Sequence, residues 1–270
     1  MSRLTHGSLF SGIGGFDLAA KWMGWENVFH VEQDPFCRQV LTHHFPEAQA
    51  FKDVQKFDTT NFRGRVSVIS GGFPCQPFSN AGNRKGTKDV RYLWPEMFRV
   101  ITEIRPRFVV AENVRGLCVW NNGEVLSRVC DDLEGAGYEV CPVLLGANAI
   151  GAPHERKRIF IVAYANGSNT DSNERTNTKE TGEVWRKAAR DVFRASISAR
   201  RVTQPNQDRN RWETFPNFNP ICGGHDGLSQ GLDGIAFPKW RSKSLKAYGN
   251  AVVPQLAYEI FKMIDTGTDE

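Results

Sequence analysis

From Ser8 to Ala163 short apolar runs alternate with stretches of helical spacing. That alternation is the signature of βα units wound into a largely parallel sheet. Ser8-Leu9-Phe10 ends a first strand, and Gly14 to Met23 reads as a helix. Asn27 to Val31 reads as a second strand, with a helix from Asp34 to His44 behind it. Val66 to Ile69 and Phe108 to Ala111 are the clearest buried strands, being short, apolar and rich in β-branched residues. Between them Tyr92 to Ile104 has helical spacing, with Leu93, Met97, Val100 and Ile104 on one face. Glu124 to Gly135 predicts another helix, and Tyr138 to Leu145 and Arg158 to Ala163 predict strands. From Tyr164 to about Asn219 polar and turn-forming residues dominate and periodicity is lost, and a glycine-rich piece, Gly223 to Gly227, follows. After Asn250 the pattern turns helical again, with Val253, Leu256, Ala257, Ile260 and Phe261 forming an apolar face. The expected architecture is an α/β domain made of residues 1–164 and 246–270, interrupted by a small irregular domain at residues 165–245.

A chain of 270 residues, 40% apolar and 24% charged, has the make-up of a water-soluble globular protein with a substantial core. No apolar run approaches the ~18 residues of a membrane span. The N-terminus carries no secretory signal, so a cytoplasmic location is expected; a monomer is expected as well. The six cysteines (37, 75, 118, 130, 141 and 222) form no C-x-x-C pair and read as free thiols in a reducing compartment. Cys222 and His225 lack a second ligand pair, so no metal site is expected. The net charge of +4 sits in one place, because residues 165–245 hold 13 Lys/Arg against 9 Asp/Glu and the rest is neutral. Such a late basic segment suits a phosphate polymer, although a plain solvated surface would look the same.

Candidate chemistry lies at the carboxyl ends of the predicted strands, the edge where open α/β sheets bind ligands. Phe10-Ser11-Gly12-Ile13-Gly14-Gly15 is a glycine-rich turn from strand to helix, and Glu32 closes the second strand, where carboxylates bond ribose hydroxyls. Together they point to a nucleoside cofactor, with Glu32 as a plain solvated strand end the competing reading. Gly71-Gly72-Phe73-Pro74-Cys75-Gln76-Pro77 holds one cysteine between two prolines in a stiff loop after a buried strand. Cys75 there is either an offered nucleophile or a small packed hydrophobe. Ala111-Glu112-Asn113-Val114 ends another strand in a carboxylate. In His154-Glu155-Arg156-Lys157-Arg158, strand alternation is expected to send both arginines to one face, as anion clamp or as edge protection.

Taken together, these motifs resemble the DNA (cytosine-5) methyltransferase family of prokaryotic or phage type. The glycine turn resembles its cofactor element, Pro74-Cys75-Gln76 its nucleophile motif and Glu112-Asn113-Val114 its Glu-Asn-Val motif. Arg156 and Arg158 resemble its Gln-x-Arg-x-Arg motif, with His154 in place of Gln, and Gly249-Asn250-Ala251-Val252-Val253-Pro254 resembles its last motif. The resemblance implies a Rossmann-like S-adenosylmethionine-dependent fold with a target-recognition domain at residues 165–245, and double-stranded DNA as partner. It implies that Cys75 adds to C6 of a flipped-out cytosine, that Glu112 serves N3, and that Arg156 and Arg158 hold O2 or favour the thiolate. For S-adenosyl-L-methionine it implies Phe10, Ser11, Gly12, Ile13, Gly14, Gly15, Glu32, Gln33, Asp53, Val54, Pro74, Leu93, Asn250, Ala251 and Val252. For the target nucleotide it implies Gln76, Ser79, Asn80 and Asn113, under a loop running from Ser79 through Thr87.

Overall fold

The computed structural model describes residues 3–74, 92–152, 154–166 and 240–266. Cys75, Gln76, Ser79, Asn80, the loop after them and nearly all of the basic segment therefore lie outside the described residues.

Seven strands form one sheet in the order β3-β2-β1-β4-β5-β7-β6. They are β1 (Thr5–Leu9), β2 (Glu26–Val31), β3 (Gln49–Phe51), β4 (Val68–Gly71), β5 (Phe108–Val114), β6 (Tyr138–Leu145) and β7 (Arg158–Ala165). β1 to β5 pair in parallel, while β7 runs antiparallel between β5 and β6. The helices are α1 (Gly15–Trp22), α2 (Pro35–His44), α3 (Trp94–Ile104), α4 (Glu124–Gly135), α5 (Trp240–Asn250) and α6 (Pro254–Thr266).

The central strands are apolar on both faces because helices cover both. On β5, Val109 and Ala111 join a core with Val100, Ile101, Val129 and Leu133 of α3 and α4. Phe108 and Val110 face the other way, into a core with Phe16 and Ala20 of α1 and Ile260 and Phe261 of α6. β7 alternates in the same way, with Ile159, Ile161 and Ala163 on one side and Phe160, Val162 and Tyr164 on the other. Burying each of the larger side chains contributes roughly 1.5–3 kcal/mol.

Three expected elements shift. β4 covers Val68–Gly71 rather than residues 66–69, because pairing with Leu9 and Ala111 carries it to Gly71. β5 continues to Val114, so Glu112 stands within a strand instead of at its tip, held by the ladder to Phe160 of β7. Helix α5 runs through the expected domain junction at residues 245 and 246.

Beneath α1 the sheet is polar. His6 bonds Asn27 Oδ1 through Nδ1 and Ser70 Oγ through Nε2, each at 2.7 Å. Ser8 Oγ donates to Asp17 Oδ1 at 2.8 Å and lies 2.7 Å from Ser11 Oγ. Burial pushes the Asp17 carboxyl up to about 7, against the hydrogen bond from Ser8. A carboxyl raised by folding is neutral in both states at low pH, and stability is lost as pH climbs from its unfolded value through its folded one. Asp17→Asn should therefore gain stability relative to the parent between about pH 4 and about pH 7, by a few kcal/mol at ~1.4 kcal/mol per pKa unit. Thermal unfolding at both pH values checks this, and a pH-independent difference would contradict it.

Candidate active site

Five parallel strands end at one edge, and antiparallel β7 begins there, so their loops converge on a cleft of about 1200 Å³. That is somewhat more than the ~300–1,000 Å³ of ordinary small-molecule pockets, enough for a nucleoside-sized group and one further ring.

At one end lies the glycine turn. Phe10 and Gly12 take left-handed backbone, with φ of 52° and 56°. For Phe10 that conformation is strained by about 1–2 kcal/mol, for Gly12 it is natural. Gly12 N–H donates to Glu32 Oε2 and Asp34 N–H to Glu32 Oε1, both at 2.7 Å. A carboxylate has about four acceptor positions, so Glu32 keeps room for hydroxyls from the cleft. Asp34 caps α2 by accepting from Phe36 N–H, with Pro35 opening the helix. This Asp-Pro start fixes the strand-to-helix turn that presents Glu32. Opposite, a Cβ on Gly15 would lie 2.5 Å from Val252 Cγ1 and 2.9 Å from the Val252 carbonyl oxygen. Glycine there lets the segment after α5 lie against the start of α1.

At the other end Glu112 is buried, with Oε1 3.0 Å from Arg158 Nε. Burial raises its carboxyl to about 7 although Arg158 and Arg156 pull it down. The group is thus poised between acid and carboxylate near neutrality. A Cβ on Gly72 would lie 3.3 Å from Glu112 Oε2, and Asn113 Nδ2 donates to the Phe73 carbonyl at 2.9 Å. The Asn113 bond fastens β5 to the backbone immediately before Pro74 and Cys75, and glycine at 72 leaves room for the Glu112 carboxyl.

Of the residues expected at the cofactor, Phe10, Ser11, Gly12, Glu32, Gln33, Asp53, Val54, Pro74, Leu93, Asn250, Ala251 and Val252 line this cleft. Ile13, Gly14 and Gly15 shape it from behind: Ile13 packs with Phe36, Cys37 and Ala247, and Gly14 backs onto Phe45 and Leu41. Glu112, Asn113 and Arg158 line the same space. The arginine pair corrects the alternation argument. β7 starts at Arg158, and Arg156 sits in the turn before it with φ of 32°, outside the strand. Its Nη2 donates to the carbonyls of Gly249 at 2.8 Å and Ala251 at 2.5 Å. His154 is exposed on the same turn.

Cys37, Lys243 and Lys246 line the cleft without having been foreseen. Burial, reinforced by Glu32 and Asp34, pushes the Cys37 thiol up to about 12, so it is an inert wall. Lys246 Nζ stands 3.8 Å from Asp34 Oδ2, linking α5 to α2 across the cleft.

The C-5 cytosine-specific DNA methylase family matches residues 4–220. The type II methyltransferase M.PspPI of a Psychrobacter species is 36% identical over 157 residues, 57% of this chain and 38% of that protein. M.Eco47II of Escherichia coli is 37% identical over 161 residues, covering 58% and 39% of the two chains. These matches thus span about two fifths of the relatives' own length. Among solved structures, a DNMT2 mutant of Spodoptera frugiperda is 25% identical with a TM-score of 0.51, over 64% of this chain and 53% of that one. With residues 4–220 of its 270 matched, the chain belongs to the C-5 cytosine-specific DNA methylase family.

Proposed function

We propose that the protein is a DNA (cytosine-5) methyltransferase acting on a cytosine flipped out of double-stranded DNA. The observation that carries this reading is the shared cleft. A carboxyl held near neutrality by burial and Arg158 opens into the same space as the Gly12–Glu32 turn, beside the backbone that leads to Cys75.

S-adenosylmethionine would supply an electrophilic methyl group on a sulfonium. The space over Gly12 is open, since a Cβ there would meet no atom within 4 Å, and it fits the ribose end together with the spare acceptor sites of Glu32. Asp53 and Val54 would hold the adenine, while Pro74, Leu93 and Asn250 to Val252, which line the same cleft, would hold the remainder. The Cys75 thiolate adds to C6 of the cytosine, Glu112 gives or shares a proton at N3, and Arg158 keeps Glu112 aimed. After transfer, loss of the C5 proton and of the thiolate restores the aromatic ring. A base buried in a duplex cannot reach such a pocket, which is why flipping is required. Residues 165–245 form the target-recognition domain in this reading, with Gln76, Ser79, Asn80 and Asn113 around the extruded nucleotide. No helix among the described residues is long and apolar enough to cross a membrane. The enzyme works as a cytoplasmic monomer in this account.

Incubation with radiolabelled S-adenosylmethionine and either DNA or RNA is expected to label DNA at cytosine C5. A cytosine carrying fluorine at C5 has no proton to lose, so it should leave a covalent protein–DNA adduct at Cys75. Label confined to RNA, or label without a trapped adduct, would overturn the reading. Gly15→Ala should press on Val252, and at about 1–3 kcal/mol for overpacking it should weaken cofactor binding roughly five- to hundredfold. Calorimetric titration measures that, and unchanged affinity would show that the 251–253 segment yields freely.

A further inference from the structure

We propose that Arg156 is a positioning residue that latches the cofactor wall, holding the segment after α5 closed over the cleft instead of acting on the pyrimidine. The proposal deepens the methyltransferase reading and rests on it.

The geometry of the turn supports this. Residues 147–150 form a short 3-10 turn, and Ala147 N–H donates to the Glu155 carbonyl at 2.6 Å, which fixes the chain just before Arg156. Arg156 then takes left-handed backbone, which a side chain rarely adopts and which brings it out of line with β7. Both N–H groups of Nη2 are committed, one to Gly249 O and one to Ala251 O. These carbonyls flank Asn250, the last residue of α5, where a helix leaves carbonyls unpaired and favours a cation.

What the latch holds is the cofactor side of the cleft. Asn250, Ala251 and Val252 line it, and Val252 lies against Gly15 at the start of α1. Ala251 N–H in turn closes α5 by donating to the Ala247 carbonyl at 2.9 Å. Arg158 does something different: its guanidinium meets Glu112. Two arginines two positions apart thus divide the work, one fastening the donor's wall and one aiming the acid.

Without the latch the 249–252 segment would spend part of its time open, and apparent affinity falls in proportion to the closed fraction. Arg156→Ala should weaken S-adenosylmethionine binding about ten- to hundredfold, the scale of losing hydrogen bonds from a charged donor, and the affinity loss should exceed the fall in kcat at saturating cofactor. Arg156→Lys, whose single ammonium is a poor match for two carbonyls, should show a smaller loss in the same direction. Arg158→Lys should show the opposite split, with kcat falling more than affinity. Calorimetric Kd without DNA and single-turnover rates with DNA read the two effects.

An arginine that merely supports the fold would lower the folded fraction and leave the Kd of the folded molecules unchanged, and that result would overturn the proposal. So would a loss of kcat at parental Kd, which would put Arg156 on the pyrimidine. If Arg156→Ala does not fold, Arg156→Lys decides by the same two readouts. Failure of the unsubstituted protein to bind S-adenosylmethionine would instead refute the methyltransferase reading itself.

Discussion

Cys75→Ala is expected to abolish methyl transfer while leaving S-adenosylmethionine affinity within about twofold of the parent. In covalent catalysis the nucleophile has no substitute, and its deletion costs on the order of a millionfold in kcat. The chain around it explains why the effect should be confined to chemistry. Asn113 holds the Phe73 carbonyl and Pro74 lines the cleft, so the backbone up to Pro74 does not depend on the thiol. The cofactor end is built from Gly12, Glu32 and the 250–252 segment, which are fixed by hydrogen bonds among the described residues themselves. The fluorinated substrate should give no adduct with this variant. Methylation of DNA above about one per cent of the parental rate would end the nucleophile assignment.

The second large effect concerns Glu112. Its carboxyl is raised to about 7 by burial, against the pull of Arg158 and Arg156. In the proposed role the form that donates to N3 is the protonated one, so the single-turnover rate should fall as pH rises through that value. Glu112→Gln keeps a hydrogen-bond partner for Arg158 and a donor for N3 but has no proton to transfer. Its rate should drop about a hundred- to ten-thousandfold, the usual worth of general acid catalysis, and the fall above neutrality assigned to Glu112 should vanish. Parental kinetics in this variant would remove Glu112 from the chemistry. Persistence of the same pH profile at a lower rate would assign that titration to another group.

Much of this fold was legible because its elements carry their own local signals. α4 and β6 fall on the expected residues, since a 3.6-residue apolar stripe ends at Gly135 and a strand begins after Gly137. What escaped was set by partners far along the chain. Ser70 and Gly71 have no strand character of their own, but β4 includes them because Leu9 and Ala111 pair with Gly71. α5 shows no apolar stripe, and among its described side chains Ser244 and Ala247 are the buried ones, small residues that allow close approach. β3 is three residues long, too short for a pattern to declare itself.

The site divides in the same way. Residues in loops directly after expected strands, such as Gly12 and Glu32, are marked by their place in the motif, whereas Asp53 follows a strand too short to foresee and was implied only by the resemblance. The bond from Arg156 to Gly249 joins positions 93 residues apart, and no spacing rule reaches that far. The polar layer under α1 was invisible for another reason: His6, Ser8, Asp17 and Ser70 look like solvated positions until packing encloses them. Among the described buried atoms Asp17 Oδ2 has no hydrogen-bond partner, which agrees with a carboxyl that burial keeps near neutrality.

The return of the chain through α5 and α6 has a consequence for biosynthesis. Phe261 stacks on Trp25 with ring centroids 4.8 Å apart, and Leu256, Ala257 and Ile260 cover Phe16, Ala19 and Ala20 of α1. A nascent polypeptide that has emerged only as far as β7 can pair its seven strands, yet one greasy flank of α1 stays wet and the donor pocket lacks a side. Ligand competence should therefore arrive late and abruptly on the ribosome, when residues 240–266 dock.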